Sequence, residues 1–525
     1  MGRILRVGLM VLLAAAAGVG IAWGEWKDYT PGTPGAITWQ YEEIDATSCR
    51  IKPKDKNAIS GKVDIPNKVN SLTVVEIAEQ AFYECSGLTA VKFPSGLTTI
   101  GKKAFYRCSK LAAVDIPNSV TTIQGWAFSG CGLTEVTIKN NVNKIESCAF
   151  AECKELENFK VEKGNKMYDV AAGVLFTKSM QELIAYPGGR NGAYEIPGSV
   201  TRTARGAFLG CDGLTAVTIP SSVKTIEEFT FSGCTGLTAV TIPDGVTRIG
   251  WGAFITCSRL KGVVIPSSVK TIGDDAFYGC EGLTEMKIPD GVIKMGQLAF
   301  ANCSKLNKVY WFADANCNVG DDAFQEIASA ATLYVRQGEM EKIKDKPWCK
   351  NIFTIEEGFV VTFQDEDGHT LGKQLVKPNG TATAPTAPTR KGYTFVEWQL
   401  DGAKYDFSAK VTKDITLVAV WKKKEESTPS TPKDPTDPTD LKTVVESVQL
   451  AAVRVVRNPV GEALELEGME RAARVEVYSV VGARVHAEAL RGEPRVVIDA
   501  RGWANGVYVV KVAASDGERT LRVVK

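Results

Sequence analysis

The stretch AFYGCEGLTEMKIPDGV, residues 276–292, joins an Ala-Phe pair, a cysteine three residues after the Phe, and an apolar run closed by proline. Residues 253–269 read AFITCSRLKGVVIPSSV and residues 230–246 read TFSGCTGLTAVTIPDGV, so the stretch is one copy of a repeat. The motif Phe falls at 82, 105, 128, 150, 208, 231, 254, 277, 300 and 324. Its spacing is 22 to 24 residues, apart from one interval of 58, which is one period plus an insertion of about 35. Within a unit the pattern L-T-x-V-x-I-P alternates apolar and polar positions, as a short strand does. A unit of this size cannot bury its own apolar face. Neighbours must stack, and equivalent Leu, Val, Ile, Phe and Cys residues then form continuous internal ladders.

Composition adds bounds. The 525 residues carry Lys+Arg 62 against Asp+Glu 61, so no global field draws the chain to nucleic acid or anionic lipid. The opening MGRILRVGLMVLLAAAAGVGIAWGEW has two early arginines, an apolar run and small residues near Gly24, the pattern of a secretory signal peptide over 1–24. Its apolar run is shorter than the ~20 residues a spanning helix needs, and no later segment comes closer, so no integral membrane span is expected in the mature chain.

Secretion permits disulfides, and there are thirteen cysteines. Nine of them, Cys85, Cys108, Cys131, Cys153, Cys211, Cys234, Cys257, Cys280 and Cys303, occupy one position of one motif. That position suits a small buried apolar side chain at a tight turn. Disulfides between adjacent rungs are the alternative, because coils about 5 Å apart fall within the permitted Cα separation. Nine is odd, however, and every rung is alike, so nothing selects a pairing. No Cys-x-x-Cys occurs and the array has no histidine, which leaves no metal motif. Cys49, Cys148, Cys317 and Cys349 stand off the ladder; Cys317 and Cys349, near the end of the array, are either a disulfide or two packed thiols.

On these residues the chain from Lys62 to Phe324 resembles the BspA-type, or Treponema pallidum-type, leucine-rich repeat. The resemblance implies a solenoid over 62–358, with an extended repeat at 159–198 that folds VLFTKS and QELIAYP into a hairpin, a cap over 25–61 and a second cap over 333–358. Residues 359–421, with alternating strands, a turn at Asp367-Gly368 and a core of Tyr393, Phe395, Trp398, Phe407 and Trp421, resemble the internalin-type B-repeat, or Listeria-Bacteroides repeat, a small β-grasp-like module. The Pro-punctuated polar stretch over 422–442 reads as an extended linker. The segment 443–525 is similar to the type A sorting domain of the type IX secretion system, through Asn458-Pro459-Val460, Val480-Val481-Gly482 and Asn505-Gly506-Val507-Tyr508. Its motif residues are Asn458, Pro459, Gly482, Gly506 and Tyr508. The fold class expected is therefore mainly β: a leucine-rich-repeat solenoid, a β-grasp-like module and a β-sandwich-like sorting domain.

Catalytic sets are hard to find. His369 and His486 stand in different modules, so no histidine can serve a nucleophile inside the array. Zinc, phosphate-loop and dinucleotide motifs are missing, and no cofactor is implied. Asn379-Gly380-Thr381 fits a glycosylation sequon, but the resemblance to the sorting domain implies a bacterial producer, in which the match is accidental. What remains is surface. The outward position between Val and Ile reads Lys92, Asp115, Thr137, Lys160, Thr218, Thr241, Val264, Lys287 and Tyr310 down successive units. Such a column can bind an extended partner through many weak contacts, as repeat proteins do. The competing reading is that Thr is there for its β-propensity and for solubility.

These readings, with the family resemblance, point to a non-enzymatic secreted protein of the bacterial outer surface or its surroundings. It would engage the type IX machinery, lose its signal peptide and sorting domain, and bind host extracellular matrix proteins, cell-surface proteins or other bacteria. The alternative is a cell-envelope scaffold or display protein that binds nothing tightly.

Overall fold

The structure, a computed structural model, describes residues 25–32, 36–390 and 392–423 and, beyond these, strands between Arg454 and Val524. Residues 1–24, most of the expected linker, and Asn458, Pro459, Gly482 and Gly506 of the sorting motif lie outside the described residues. The chain divides into two compact units between Ser179 and Met180. Both are built from the same coil, and almost all regular structure is β.

Each coil hydrogen-bonds to its neighbours along its backbone in register. In the second unit Thr218, Thr241 and Val264 are parallel-sheet partners in successive coils. After the Pro turn a second, two-residue strand does the same, aligning Ile226, Ile249, Ile272, Met295 and Val319. The pairing is parallel because every coil returns the chain to the same edge in the same direction. Val240, Ile249 and Ile272 point inward and are buried.

The third side, the Ala-Phe turn, has no regular strand. Residues two before and two after the Phe adopt left-handed φ: Gly252 (+58°) and Thr256 (+54°) around Phe254, Asp275 (+53°) and Gly279 (+69°) around Phe277. This alternation sorts the amides. Gly252, Phe254 and Thr256 donate to the carbonyls of Asp274, Ala276 and Tyr278 in the next coil at 2.9, 2.8 and 2.7 Å. Ala253, Ile255 and Cys257 donate back three residues within their own coil. A left-handed conformation costs a non-glycine residue about 1 kcal/mol or more. Here it lets a buried turn pair its backbone N–H groups, whose loss would cost more.

Inside the turns the phenylalanines stack. Centroids of Phe82, Phe105, Phe128 and Phe150 are 4.9, 5.3 and 5.7 Å apart with planes within 6°. In the second unit Tyr186 begins a like stack through Phe208, Phe231, Phe254, Phe277, Phe300 and Phe324 at 5.0 to 5.5 Å. Edge-on rings close both series: Trp39 stands 6.2 Å from Phe82, and Phe353 5.2 Å from Phe324.

Within the extended repeat, VLFTKS and QELIAYP supply the strands Val174–Thr177 and Glu182–Ala185. Inside the first unit, Val174–Thr177 pairs antiparallel with Tyr168–Ala171. The turn between them places Ala172 (+46°) and Gly173 (+74°) at positive φ, the geometry of a two-residue hairpin loop.

The module after the array is not separated from it by a break in the backbone. One strand, Thr354–Gln364, pairs parallel with Thr332–Arg336 of the last coil and then with Ile415–Lys423 of the module. The Asp414 carboxylate accepts the Val360 amide at 2.7 Å, and Lys373 forms an ion pair with Asp290 of the array. The module core holds Val361, Phe363, Trp398, Tyr405, Leu417 and Ala419, with Phe395, Phe407 and Trp421 packed against it. Tyr393 departs from the expected core. It is half-buried, under the Arg390 guanidinium at 4.3 Å, because it opens its strand at the module's margin. Farther on, a three-stranded antiparallel sheet and a four-stranded one bury Leu466, Val475, Val477, Ile498, Val510 and Val512; the backbone of Tyr508 lies in the strand Val507–Ala514.

Replacing Phe254 by Ala removes a ring packed at 5.2 and 5.0 Å by its neighbours. The expected loss is about 3–5 kcal/mol, read as a lower urea midpoint.

Candidate binding face

The outward column divides between the units. In the first, Thr137 and Lys160 are sheet partners and Lys92 aligns with Asp64, but Asp115 lies on a coil that forms no strand at that point. Lys160 is 2.8 Å from Glu135, and Lys139 reaches Asp115 at 3.3 Å and Glu162 at 3.4 Å. Oppositely charged neighbours therefore answer several charges in this half.

In the second unit Thr218, Thr241 and Val264 form one run, with Val264 60% exposed. Lys287 opens another, aligned with Tyr310, then Tyr334, then Glu356. The two tyrosine rings stack at 4.9 Å, the Lys287 ammonium stands 6.0 Å from the Tyr310 centroid, and Lys377 caps Glu356 at 2.7 Å. Tyr334, Glu356 and Lys377 are missed by counting repeat units, because they lie past Phe324. The local signal is the alternation in Thr332–Arg336, where Leu333 and Val335 are buried and Tyr334 is not.

The cysteines offer no reactive centre. All thirteen are unbridged and buried, Cys317 and Cys349 among them. Within the ladder each thiol has a partner that spacing alone does not disclose, a main-chain carbonyl of the preceding coil. Cys280 donates to Phe254 O at 3.1 Å, Cys257 to Phe231 O at 3.1 Å and Cys108 to Phe82 O at 3.1 Å. Burial pushes the thiols of Cys153 and Cys303 up to about 12 and that of Cys280 well above its ordinary value. A thiolate is the nucleophile and the metal ligand, so these groups are held in the inert form.

One further convergence of ligand atoms lies on the hairpin tip at 365–369. Oxygens or nitrogens of Asp365, Asp367 and His369 fall within 4.8 Å of one another. There Asp365 accepts the amides of Asp367 and His369 at 3.0 and 2.8 Å and faces His369 Nδ1 at 3.0 Å, an arrangement that closes the turn. His369 is exposed, and His486 lies in the strand Arg484–Ala489 of the C-terminal region.

The thiols make the fold sensitive to alkali in a defined direction. A folded-state pKa above the ordinary 9.0 contributes stability that is whole below pH 9 and declines as pH rises toward 12. The urea midpoint should therefore hold from pH 7 to about 8.5 and fall at pH 10–11, and native protein should resist iodoacetamide until unfolded.

Comparison with known proteins agrees with this architecture. Residues 75–183 and 193–347, just over half of the chain, match the family described as BspA type leucine rich repeat region. Residues 359–420 match the Listeria-Bacteroides repeat domain and residues 457–525 the secretion system C-terminal sorting domain. The sorting domain marks the chain for secretion to the cell surface or the extracellular space and for handling by the secretion machinery. No helix among the described residues is long and apolar enough to cross a membrane. Among solved structures, a leucine rich cell surface protein from Faecalibacterium prausnitzii is 23% identical, covering 54% of this chain and 94% of its own, with a TM-score of 0.34. The pneumococcal vaccine antigen PcpA is 18% identical over 63% and 98%, TM-score 0.45, and a Treponema pallidum leucine rich repeat protein 27% identical over 44% and 90%, TM-score 0.27. No curated protein matches the chain. The chain belongs to the BspA-type leucine-rich-repeat family, as a secreted surface protein that carries a Listeria-Bacteroides repeat and a C-terminal sorting domain.

Proposed function

We propose that this secreted protein is an adhesin: it recognises extracellular proteins of a host, or the surfaces of other cells, through the outward column of its repeats. The observation that carries this reading is the aligned set Lys287, Tyr310, Tyr334 and Glu356 on adjoining strands. Tyrosines presented on a rigid sheet supply large contact area at little entropic cost, and aromatic anchors of this kind dominate protein interfaces. Thr218 and Thr241, on the same unit as the tyrosines, would extend the contact as weaker, polar positions. A solubilising face needs Thr and Lys, but it has no use for a half-buried tyrosine pair.

The test is binding of the purified secreted chain to immobilised matrix proteins and to whole cells. Saturable binding is expected, and a Lys287→Ala, Tyr310→Ala, Tyr334→Ala triple variant should lose about 2 kcal/mol or more of it, some thirtyfold in affinity. A fully folded variant that binds as well as the parent would remove this face from the function. Absence of binding by the parent would favour a scaffold role.

A further inference from the structure

The two-residue strands of the second unit carry a second outward surface. Between the buried Val and the buried Ile or Met of each coil stand two outward residues: Lys224 and Thr225, Thr247 and Arg248, Lys270 and Thr271, Ile293 and Lys294. The sheet registers Thr225 with Arg248, Arg248 with Thr271, Thr271 with Lys294 and Lys294 with Asn318. Each of four successive coils thus offers one cation, which alternates between the two positions, and three of the four set a hydroxyl beside it. Strand spacing puts the row at roughly 14 Å from first coil to last.

These charges are lightly answered. Lys224, Lys270 and Lys294 have no ion-pair partner among the described residues; Lys224 donates to the Ser221 carbonyl at 3.0 Å. Arg248 is 3.6 Å from Glu228, which lies nearer to Arg205, at 2.9 Å. Asp244, in the turn before Arg248, is the exposed acid of the same coil. The whole chain is close to neutral, so the row is a local concentration of charge and not a sample of a basic protein.

We infer that this row binds a linear, negatively charged polysaccharide, of the sulfated or uronate kind, lying across the coils. A linear polyanion answers a row of cations at a fixed repeat, and the hydroxyls of Thr225 and Thr271 suit sugar hydroxyls. Nucleic acid fits less well. Single strands are held by aromatic platforms, and the outward residues here are Thr, Ile and Asn. Phosphates of a duplex strand advance about 3.4 Å each along the helix axis while winding around it, whereas the row is straight with about 4.8 Å between coils. The inference does not rest on the Tyr310 column, which lies on other strands of the coil.

The experiment uses the full chain and heparin as the probe, with uncharged dextran and an oligo-dT of equal charge as comparators. Heparin should bind, more weakly as salt rises, and a Lys224→Gln, Arg248→Gln, Lys270→Gln, Lys294→Gln variant should lose at least about tenfold in affinity. A control removing four exposed cations that belong to neither surface, Lys102→Gln, Lys110→Gln, Lys305→Gln, Lys346→Gln, should bind heparin like the parent. Thermal melting within about 2 °C of the parent shows that both variants remain folded. Failure of the parent to bind heparin overturns the inference, as do equal losses in both variants, equal binding of dextran, or tighter patch-dependent binding of oligo-dT. Because the row shares no residue with the Tyr310 column, loss of cell or protein binding in the Lys287→Ala, Tyr310→Ala, Tyr334→Ala variant bears on the adhesion reading and not on this one.

Discussion

Register between neighbouring coils is the constraint from which the rest follows. Each coil hydrogen-bonds to its neighbours at the strand, at the two-residue strand and at the Ala-Phe turn, so equivalent residues fall one above another at nearly the strand spacing. The Phe rings stack at about 5 Å because the backbone holds them there, not because parallel rings in isolation prefer it. The cysteines follow from the same constraint. A carbonyl of the preceding coil arrives within hydrogen-bonding reach of each thiol at a buried position. One repeated geometry therefore explains the period, the aromatic stack and the unreactive sulfur together.

Much of this was legible in the sequence, and the reason is specific. A 23-residue period with fixed Phe, Cys and Pro states that successive units are equivalent, and equivalence in a stack dictates burial at equivalent places. What the period does not encode is what happens between units. The Cys280 hydrogen bond to Phe254 joins different coils, and nothing near Cys280 in the chain announces its acceptor. Left-handed φ at Thr256 and Asp275 was equally hidden, since neither is a glycine and only the inter-coil amide bonds make the conformation worthwhile. Where the period ends, counting units fails. Tyr334 and Glu356 continue the outward column on strands that belong to no complete repeat. Their placement could be read only from local alternation.

The surface has a different logic from the interior. Equivalence forces the buried positions to be alike and leaves the outward ones free, so the chemistry that distinguishes one coil from another is carried outside. Thr recurs there as a background suited to a pleated face. Against it, departures are informative: the paired tyrosines on one set of strands and the row of single cations on another. Two chemistries on two sets of strands would let the array meet a folded protein and a charged polymer without competition between them.

The strand Thr354–Gln364 has a mechanical implication. It enters from the array, and its parallel neighbour Ile415–Lys423 leaves toward the C-terminal region. Tension between the array and the C-terminal region pulls the two strands past each other along their length. The partners Val361 with Ile415, Thr362 with Thr416, Phe363 with Leu417 and Gln364 with Val418 then bear the load at the same moment instead of parting in turn. A surface protein exposed to flow would transmit drag through a joint loaded in shear, and the small module would act as a clamp that keeps the last coil from fraying under pull.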